Sequence, residues 1–215
     1  AKNRGVRCAR DYLGMEGASP QVARVFAHYE RTLRGRNQID FDDMLWLTVE
    51  LLTQRQDVLE RLQRRWCCVL VDEFQDTNAL QLRLLTLLCP ATPGNITVVG
   101  DDDQAIYAFQ GASGSFAPFE AAYPHARRVL LEQNYRSTST IVAASSSLVA
   151  QNSNRVPKRV YSEGAPGEKI VVASCRNVHD ESRYLITTIR ELLSCGTTRP
   201  KDIAILFRTS KTGVA

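Results

Sequence analysis

Residues 69–76 read VLVDEFQD, and this stretch indicates the fold of the chain. Three apolar, β-prone residues stop at two adjacent carboxylates, Asp72 and Glu73, and a helical pattern follows over residues 77–88. This arrangement is typical of a buried strand that delivers two acids at its carboxyl end. In open parallel α/β sheets, ligands bind beyond the carboxyl ends of the strands, so both acids are candidates for a binding or catalytic site.

Two interpretations of this acidic pair remain open from the local pattern alone. Adjacent carboxylates repel each other, and a divalent cation with a phosphate ligand relieves that repulsion. In phosphoryl transfer, an acid of this kind holds Mg²⁺ while a second residue orients or activates the attacking water. The alternative is that Asp72 and Glu73 form a solvated strand end, or that Asp72 caps the next helix.

Further along the chain, apolar segments that end in polar residues alternate with helical patterns. Residues 96–100 end at three aspartates, and residues 128–131 run into QNYRST at 133–138. We also predict strands at 169–174 and 203–207, the last of which ends at Arg208. Apolar spacing and capping residues predict helices before and between these segments. The alternation predicts an α/β fold with a parallel sheet, helices on both faces and a site along one edge.

Composition places only loose bounds on the function of the chain. With 215 residues, 44% of them hydrophobic, it is long enough for one large domain or two small ones. A net charge of +4 permits an anionic partner without requiring one. The six cysteines show no C-x-x-C spacing, and we expect buried free thiols in a reducing compartment. No apolar run reaches the roughly 20 residues of a membrane span. We expect an intracellular protein, in the nucleus if eukaryotic and in the cytoplasm if bacterial.

Residues that follow the second and third apolar segments add further candidates. Gln104 carries an amide that donates to a phosphate oxygen or accepts from a water. Tyr107 and Phe109 are aromatic, and a nucleic-acid base stacked on such a ring gains about 1–3 kcal/mol. Tyr135 offers a flat aromatic ring, and the adjacent Arg136 offers a planar cation. The cation can stabilise negative charge in a transition state. The alternatives are core packing for Tyr107 and Phe109 and a surface salt bridge for Arg136.

Taken together, these motifs resemble the UvrD/Rep/PcrA group of superfamily 1 DNA helicases. The resemblance is carried by VLVDEFQDTN at 69–78, VVGDDDQAIYAFQGA at 98–112 and LEQNYRST at 131–138. IDFDDML at 39–45 and DIAILFRTS at 202–210 are also similar to that group. The resemblance covers nearly the whole chain in the expected order. It implies RecA-like (P-loop NTPase) parallel-sheet domains, with ATP and Mg²⁺ as cofactors and single-stranded DNA as partner.

The resemblance also implies a role for each site residue. Asp72 matches the Mg²⁺-coordinating acid of the Walker B element, and Glu73 matches the base that activates water for ATP hydrolysis. Gln104 matches the glutamine that senses the γ-phosphate. Arg136 matches an arginine finger, and Tyr135 matches the tyrosine that stacks on adenine. The resemblance therefore predicts an ATP-binding cleft between Glu73 and Gln104 on one wall and Tyr135 and Arg136 on the other.

The family places aromatic residues against single-stranded DNA at the positions of Tyr107 and Phe109. Phe109 replaces the tryptophan that is usual in bacterial members. Phenylalanine at this position resembles the sequences of the eukaryotic, recombination-suppressing branch of the family. Gln110 stands where many members have arginine. The resemblance implies a motor that moves 3′ to 5′ along DNA and acts in repair or recombination control.

One expected family element has no match in this sequence, namely the phosphate-cradling GxxxxGK[ST] loop. The sequence also lacks an initiating Met, so we expect a fragment of a helicase that is inactive by itself. We assign 1–36 to the tail of accessory domain 1B and its return helix, 37–130 to the C-terminal part of RecA-like domain 1A and 131–215 to the N-terminal part of RecA-like domain 2A. Two alternatives stay open: a non-catalytic DNA- or partner-binding helicase remnant, and a helicase-nuclease subunit.

Overall fold

A computed structural model describes residues 6–92, 94–152 and 155–207 of the chain. Eight α-helices and two β-strands lie within these residues, joined by loops and short 3₁₀ turns. In chain order they are α1 (Ala9–Leu13), α2 (Pro20–Gly35), α3 (Phe41–Gln54), α4 (Gln56–Arg65), β1 (Val69–Val71), α5 (Ala79–Leu88), β2 (Ile96–Val98), α6 (Ala117–Ala122), α7 (Ser139–Val149) and α8 (Val178–Ser194).

The two strands form a parallel pair in which Val69 lies opposite Ile96 and Val71 opposite Val98. The connection between them contains α5, as expected for parallel strands, which need a crossover. The coarser prediction of an α/β fold with a parallel sheet is confirmed, although the sheet among the described residues has two strands. Because the strands are parallel and in register, their carboxyl ends meet at one edge.

The core of this sheet is built on Phe74, which is 1% exposed. Its ring stacks on Phe116 and meets Phe119 edge to face, with centroid separations of 5.4 Å in both pairs. Side chains from β1, β2, α5 and α6 surround this aromatic group: Val71, Leu82, Leu85, Ile96, Val98, Phe116 and Ala122. The residue directly after the acidic pair is therefore an anchor that fixes the turn carrying Asp72 and Glu73.

Local capping signals position several helices where the sequence predicts them. Asp40 accepts a hydrogen bond from the backbone N–H of Asp43 and begins α3. Asn78 and Gln81 form the same reciprocal arrangement at the start of α5. Thr138 occupies the capping position of α7, although its side chain makes no capping bond. Such caps satisfy N–H groups that have no partner within the helix.

Three predicted strands are wrong. Residues 128–131, 169–174 and 203–207 are not strands in the structure, because no described segment lies alongside them in a ladder. Val172 and Leu206 are 92% and 93% exposed. A β-strand exists only where a neighbour accepts and donates its backbone hydrogen bonds, and apolar composition does not supply one. The predicted strand end at Arg208 lies outside the described residues.

The prediction of buried thiols is also wrong for most of the cysteines. All six are free, but Cys89 is the one that is buried, and Cys67, Cys68, Cys175 and Cys195 are exposed. Among the helices of the described residues, none combines the length and the apolar character needed to cross a membrane.

Candidate functional site

The two acidic segments meet at the carboxyl edge of the sheet. The backbone N–H of Val99 donates to the carbonyl of Val71 over 2.8 Å, and the N–H of Phe74 donates to the carbonyl of Val99 over 2.9 Å. The turn after β1 and the loop after β2 are therefore held side by side. The sequence prediction that Asp72, Glu73 and Gln104 share one edge is consistent with this pairing.

Glu73 is held in an unusual backbone conformation. Its φ of 50° and ψ of 44° lie in the left-handed region, which costs a non-glycine residue on the order of 1 kcal/mol. Its N–H donates to Oδ1 of Asp72 over 2.9 Å. Its carboxylate oxygen Oε2 accepts from Nε2 of Gln75 over 2.6 Å. These contacts fix the direction of an otherwise exposed carboxylate.

Gln75 links this carboxylate to the loop after β2. Its side chain is 2% exposed, and its Oε1 accepts from the backbone N–H of Asp101 over 3.0 Å. Gly100 permits this contact, because a Cβ at that position would lie 2.4 Å from Oε1 of Gln75 and 2.9 Å from the nitrogen of Phe74. A buried amide with both ends bonded thus joins the ends of the two strands.

The loop after β2 holds Gln104 in turn. Asp101 begins a 3₁₀ turn by accepting from the backbone N–H of Asp103 over 3.1 Å. Nε2 of Gln104 donates to Oδ2 of Asp101 over 2.7 Å. A path of hydrogen bonds therefore runs from Glu73 through Gln75 and Asp101 to Gln104, and it joins the predicted base to the predicted phosphate sensor.

Two cations from a distant segment form ion pairs with the three aspartates. Nζ of Lys158 lies 2.6 Å from carboxylate oxygens of Asp101 and Asp102 and 3.0 Å from Asp103. Arg155 donates two hydrogen bonds to the carboxylate of Asp103, at 2.9 and 2.7 Å. The three aspartates also have the spacing of a metal-binding group, but these cations occupy it.

Within this ion cluster, the pKa values of Asp101, Asp103 and Lys158 are shifted. Burial raises the pKa of Asp101, but hydrogen bonds from Lys158 and Gln104 outweigh burial and hold that pKa below its ordinary value. The Arg155 guanidinium holds the pKa of Asp103 below its ordinary value as well. Burial lowers the pKa of Lys158, and its hydrogen bonds to the three aspartates reverse that effect and raise the pKa. The carboxyls of Asp101 and Asp103 and the ammonium of Lys158 are therefore charged at neutral pH.

The two aromatic candidates lie on the loop that follows Gln104. Tyr107 and Phe109 are 40% and 65% exposed, and their ring centroids are 6.0 Å apart at an interplanar angle of 42°. Core packing, the alternative for both residues, does not describe rings with this exposure. The segment after them is tied to the acidic turn, because the N–H of Gly114 donates to the carbonyl of Gln75 over 3.2 Å.

Tyr135 and Arg136 lie on a separate turn that precedes α7. Tyr135 is 85% exposed, and its hydroxyl donates to Oε1 of Gln133 over 2.6 Å. Oδ1 of Asn134 accepts from the backbone N–H groups of Arg136 and Ser137 and so shapes this turn. The Arg136 side chain is exposed. Within the described ranges, the Arg136 side chain makes no salt bridge. No hydrogen bond in these ranges joins Tyr135 or Arg136 to Glu73 or Gln104.

Sequence reasoning missed the residues that hold the site together. Gln75 stands inside the quoted motif, two residues after Glu73, and this position could have marked it. Arg155 and Lys158 carry no local signal, since their partners are more than 50 residues away and their segment has the composition of a surface connection. They are found only from the structure.

The residues present fit part of a metal and phosphate site. Asp72 supplies an exposed carboxylate, a hard oxygen ligand of the kind that Mg²⁺ prefers, beside the Glu73 carboxylate. A cavity of about 450 Å³ lies next to this edge. Its lining combines apolar residues with polar and charged ones, among them Asp101, Asp102, Glu120, Arg127, Arg128, Asn134 and Lys158. Among the described residues, the predicted ATP-binding side chains of Gln104, Tyr135 and Arg136 do not line it.

Comparison with known proteins identifies the family of the chain. Residues 7–120 match the UvrD/REP helicase N-terminal domain, and residues 129–214 match the UvrD-like helicase C-terminal domain. The chain is 41% identical over 196 residues to the ATP-dependent DNA helicase UvrD1 of Mycobacterium tuberculosis (strain ATCC 25618 / H37Rv). It is 40% identical over 190 residues to the ATP-dependent DNA helicase PcrA of Bacillus subtilis (strain 168) and 38% over 190 residues to that of Leuconostoc citreum.

Each alignment covers 88% of this chain and 25% or 26% of the relative. The chain thus spans about a quarter of the length of the relatives that it matches. The resemblance inferred from the motifs is confirmed, because domain matches extend over both parts of the chain. The chain belongs to the UvrD/REP helicase family.

Proposed function

We propose that this chain is part of an ATP-dependent DNA motor, a helicase or translocase that moves 3′ to 5′ along single-stranded DNA in repair or recombination control. Family membership supports the proposal, and the relatives are named ATP-dependent DNA helicases. The observation that carries it is the path of hydrogen bonds from Glu73 through Gln75 and Asp101 to Gln104.

In this proposal, the acidic edge performs ATP hydrolysis. Asp72 would hold Mg²⁺, and the bound ion would supply charge neutralisation for phosphoryl transfer. Glu73 accepts the proton of the attacking water, and its bond to Gln75 keeps the carboxylate oriented without using both oxygens. Gln104 senses the γ-phosphate, and its change in position alters the loop that carries Tyr107 and Phe109. Tyr135 stacks on the adenine, and Arg136 meets the transition-state charge.

The aromatic pair forms the proposed DNA track. The exposed rings of Tyr107 and Phe109 offer stacking surfaces to bases irrespective of sequence. Their loop follows directly after Gln104 and is bonded to the turn after β1. A change at the nucleotide-binding edge therefore has a short route to the bases.

The proposal includes a domain division and a limit on activity. We assign 1–36 to the tail of accessory domain 1B and its return helix, 37–130 to the C-terminal part of RecA-like domain 1A and 131–215 to the N-terminal part of RecA-like domain 2A. The 215 residues contain no GxxxxGK[ST] sequence, so we expect no ATP turnover by this chain alone.

Hydrolysis is tested in a longer protein that carries this chain together with a phosphate-binding loop. Glu73→Gln removes the proton acceptor at nearly constant shape, so we expect the DNA-stimulated kcat to fall about 10²- to 10⁴-fold. Glu168→Gln, at an exposed position, is the matched control. Full activity in the Glu73→Gln protein would refute the assigned base, and a lack of ATPase in the unmodified protein would favour a non-catalytic remnant.

DNA binding is tested on the chain itself by fluorescence anisotropy with single-stranded DNA across a salt series. The double variant Tyr107→Ala/Phe109→Ala should lose about 1–3 kcal/mol per stacked base at every salt concentration. The control is Tyr184→Ala/Phe207→Ala, which removes two aromatic residues of similar exposure elsewhere. Equal affinity of the two double variants would show that Tyr107 and Phe109 do not contact DNA.

A further inference from the structure

The segment 155–161 connects the acidic loop to the turn that carries Tyr135 and Arg136. On one side, Arg155 and Lys158 bind the three aspartates, and the N–H of Val156 donates to Oδ2 of Asp102 over 2.5 Å. The side chain of Lys158 is 13% exposed although it carries a full charge. A cation that is desolvated to this extent is stable only where several carboxylates compensate it.

On its other side, the same segment is bonded to residues 132–134. The N–H of Asn134 donates to the carbonyl of Tyr161 over 2.7 Å, and the N–H of Tyr161 donates to the carbonyl of Glu132 over 2.9 Å. The N–H of Arg159 also donates to Oε1 of Glu132 over 2.6 Å. Residues 132–134 lead directly into Tyr135 and Arg136, so one short segment contacts both walls of the predicted cleft.

We propose that Lys158 is a positioning residue for Gln104 and that it acts through Asp101. Nζ of Lys158 lies 2.6 Å from Oδ1 of Asp101, while Oδ2 of the same carboxylate accepts from Nε2 of Gln104 over 2.7 Å. Lys158 therefore fixes the carboxylate that fixes the glutamine. Since its segment is bonded to residues 132–134, the position of Gln104 depends on the segment that precedes Tyr135 and Arg136.

The role of Gln104 as a phosphate sensor rests on the proposed function, whereas the positioning itself does not. Asp101 also donates its N–H to Gln75, which holds Glu73. Movement of Lys158 is thus transmitted to both strand ends. In a working motor, a shift of the segment 155–161 therefore changes the positions of Glu73 and Gln104.

Hydrogen exchange of backbone amides, followed by NMR on this chain, tests the positioning. The informative amides are those of Asp103 and Gln104, which donate to Asp101. In Lys158→Met, we expect both to exchange at least tenfold faster, while amides of β1, β2 and α5 keep their rates. The exposed Lys169→Met is the control, and Lys158→Arg should restore slow exchange.

A merely structural role for Lys158 would accelerate exchange across the whole core by one common factor, and that result would overturn the proposal. Unchanged exchange at Asp103 and Gln104 in a folded Lys158→Met chain would also overturn it. If this variant does not fold, Lys158→Gln and a titration of the unmodified chain from about 0.05 to 1 M NaCl replace it, with the same two amides as readout. The exchange result is independent of ATPase activity, so it stands or falls separately from the Glu73→Gln test.

Discussion

The paired strands β1 and β2 differ sharply from the apolar segments at 169–174 and 203–207, although all four are β-prone. Val71 and Val98 are paired and pack on the aromatic core, whereas Val172 and Leu206 are almost fully exposed. The difference does not lie in composition. It lies in the connection through α5, which returns β2 beside β1 and gives each strand a partner.

The most direct way to sharpen this comparison is to remove one large side chain from each region. Phe74→Ala deletes a ring that is 1% exposed, so the free energy of unfolding should fall by about 3–5 kcal/mol. Leu206→Ala deletes a side chain that is 93% exposed, and its effect should stay within about 0.5 kcal/mol. Urea unfolding of both variants measures the contrast. A large loss in Leu206→Ala would show that residues 203–207 are packed in solution.

The next largest loss of stability is expected at Gly100, whose backbone lies close to Gln75 and Phe74. A methyl group in Gly100→Ala would collide with Oε1 of Gln75 and the nitrogen of Phe74, so we expect a loss of about 1–3 kcal/mol. Gly35→Ala, at the end of α2 with open space around the Cβ position, should instead stabilise the chain by about 0.4–1 kcal/mol. Thermal or urea unfolding measures the stability of both variants. Equal changes in the free energy of unfolding for Gly100→Ala and Gly35→Ala would contradict the close approach at Gly100.

The same comparison explains which features the sequence predicts. Helix starts at Asp40 and Asn78 depend on residues three positions away, so the local pattern contains them. The acids at the carboxyl ends of β1 and β2 follow from a general rule for parallel sheets. The contact between Lys158 and Asp101 joins residues 57 positions apart. No local pattern encodes that contact. For the same reason, the sequence does not predict that residues 169–174 and 203–207 have no strand partner among the residues that the structure describes.

Tyr123 tests the edge of the aromatic core with a smaller change. Its hydroxyl donates to the carbonyl of Cys89 over 2.5 Å, and burial raises its pKa to about 12, with a further contribution from Cys89. Tyr123→Phe should cost about 0.5–1.5 kcal/mol at neutral pH. Because the folded pKa is the higher one, this contribution is complete below about pH 10 and is lost as pH rises towards 12. Urea unfolding at both pH values measures it, with the more exposed Tyr184→Phe as control.

The smallest expected effect concerns the aspartates that Lys158 and Arg155 neutralise. The folded pKa values of Asp101 and Asp103 lie below their ordinary value near about 4, so the unfolded chain binds protons first as the pH falls. Their contribution is therefore complete above about pH 4 and is lost as the pH drops through the folded values. We expect each carboxylate to contribute under about 1 kcal/mol, because the cost of desolvating the charges offsets most of their attraction. Stability measured from pH 6 to pH 2 should fall less steeply in Asp103→Asn than in the unmodified chain, because the amide that replaces the carboxylate does not titrate. Identical slopes would mean that the segment 155–161 does not hold this loop in solution, and the contrast between a fixed acidic edge and the exposed segments 169–174 and 203–207 would then be weaker than the structure indicates.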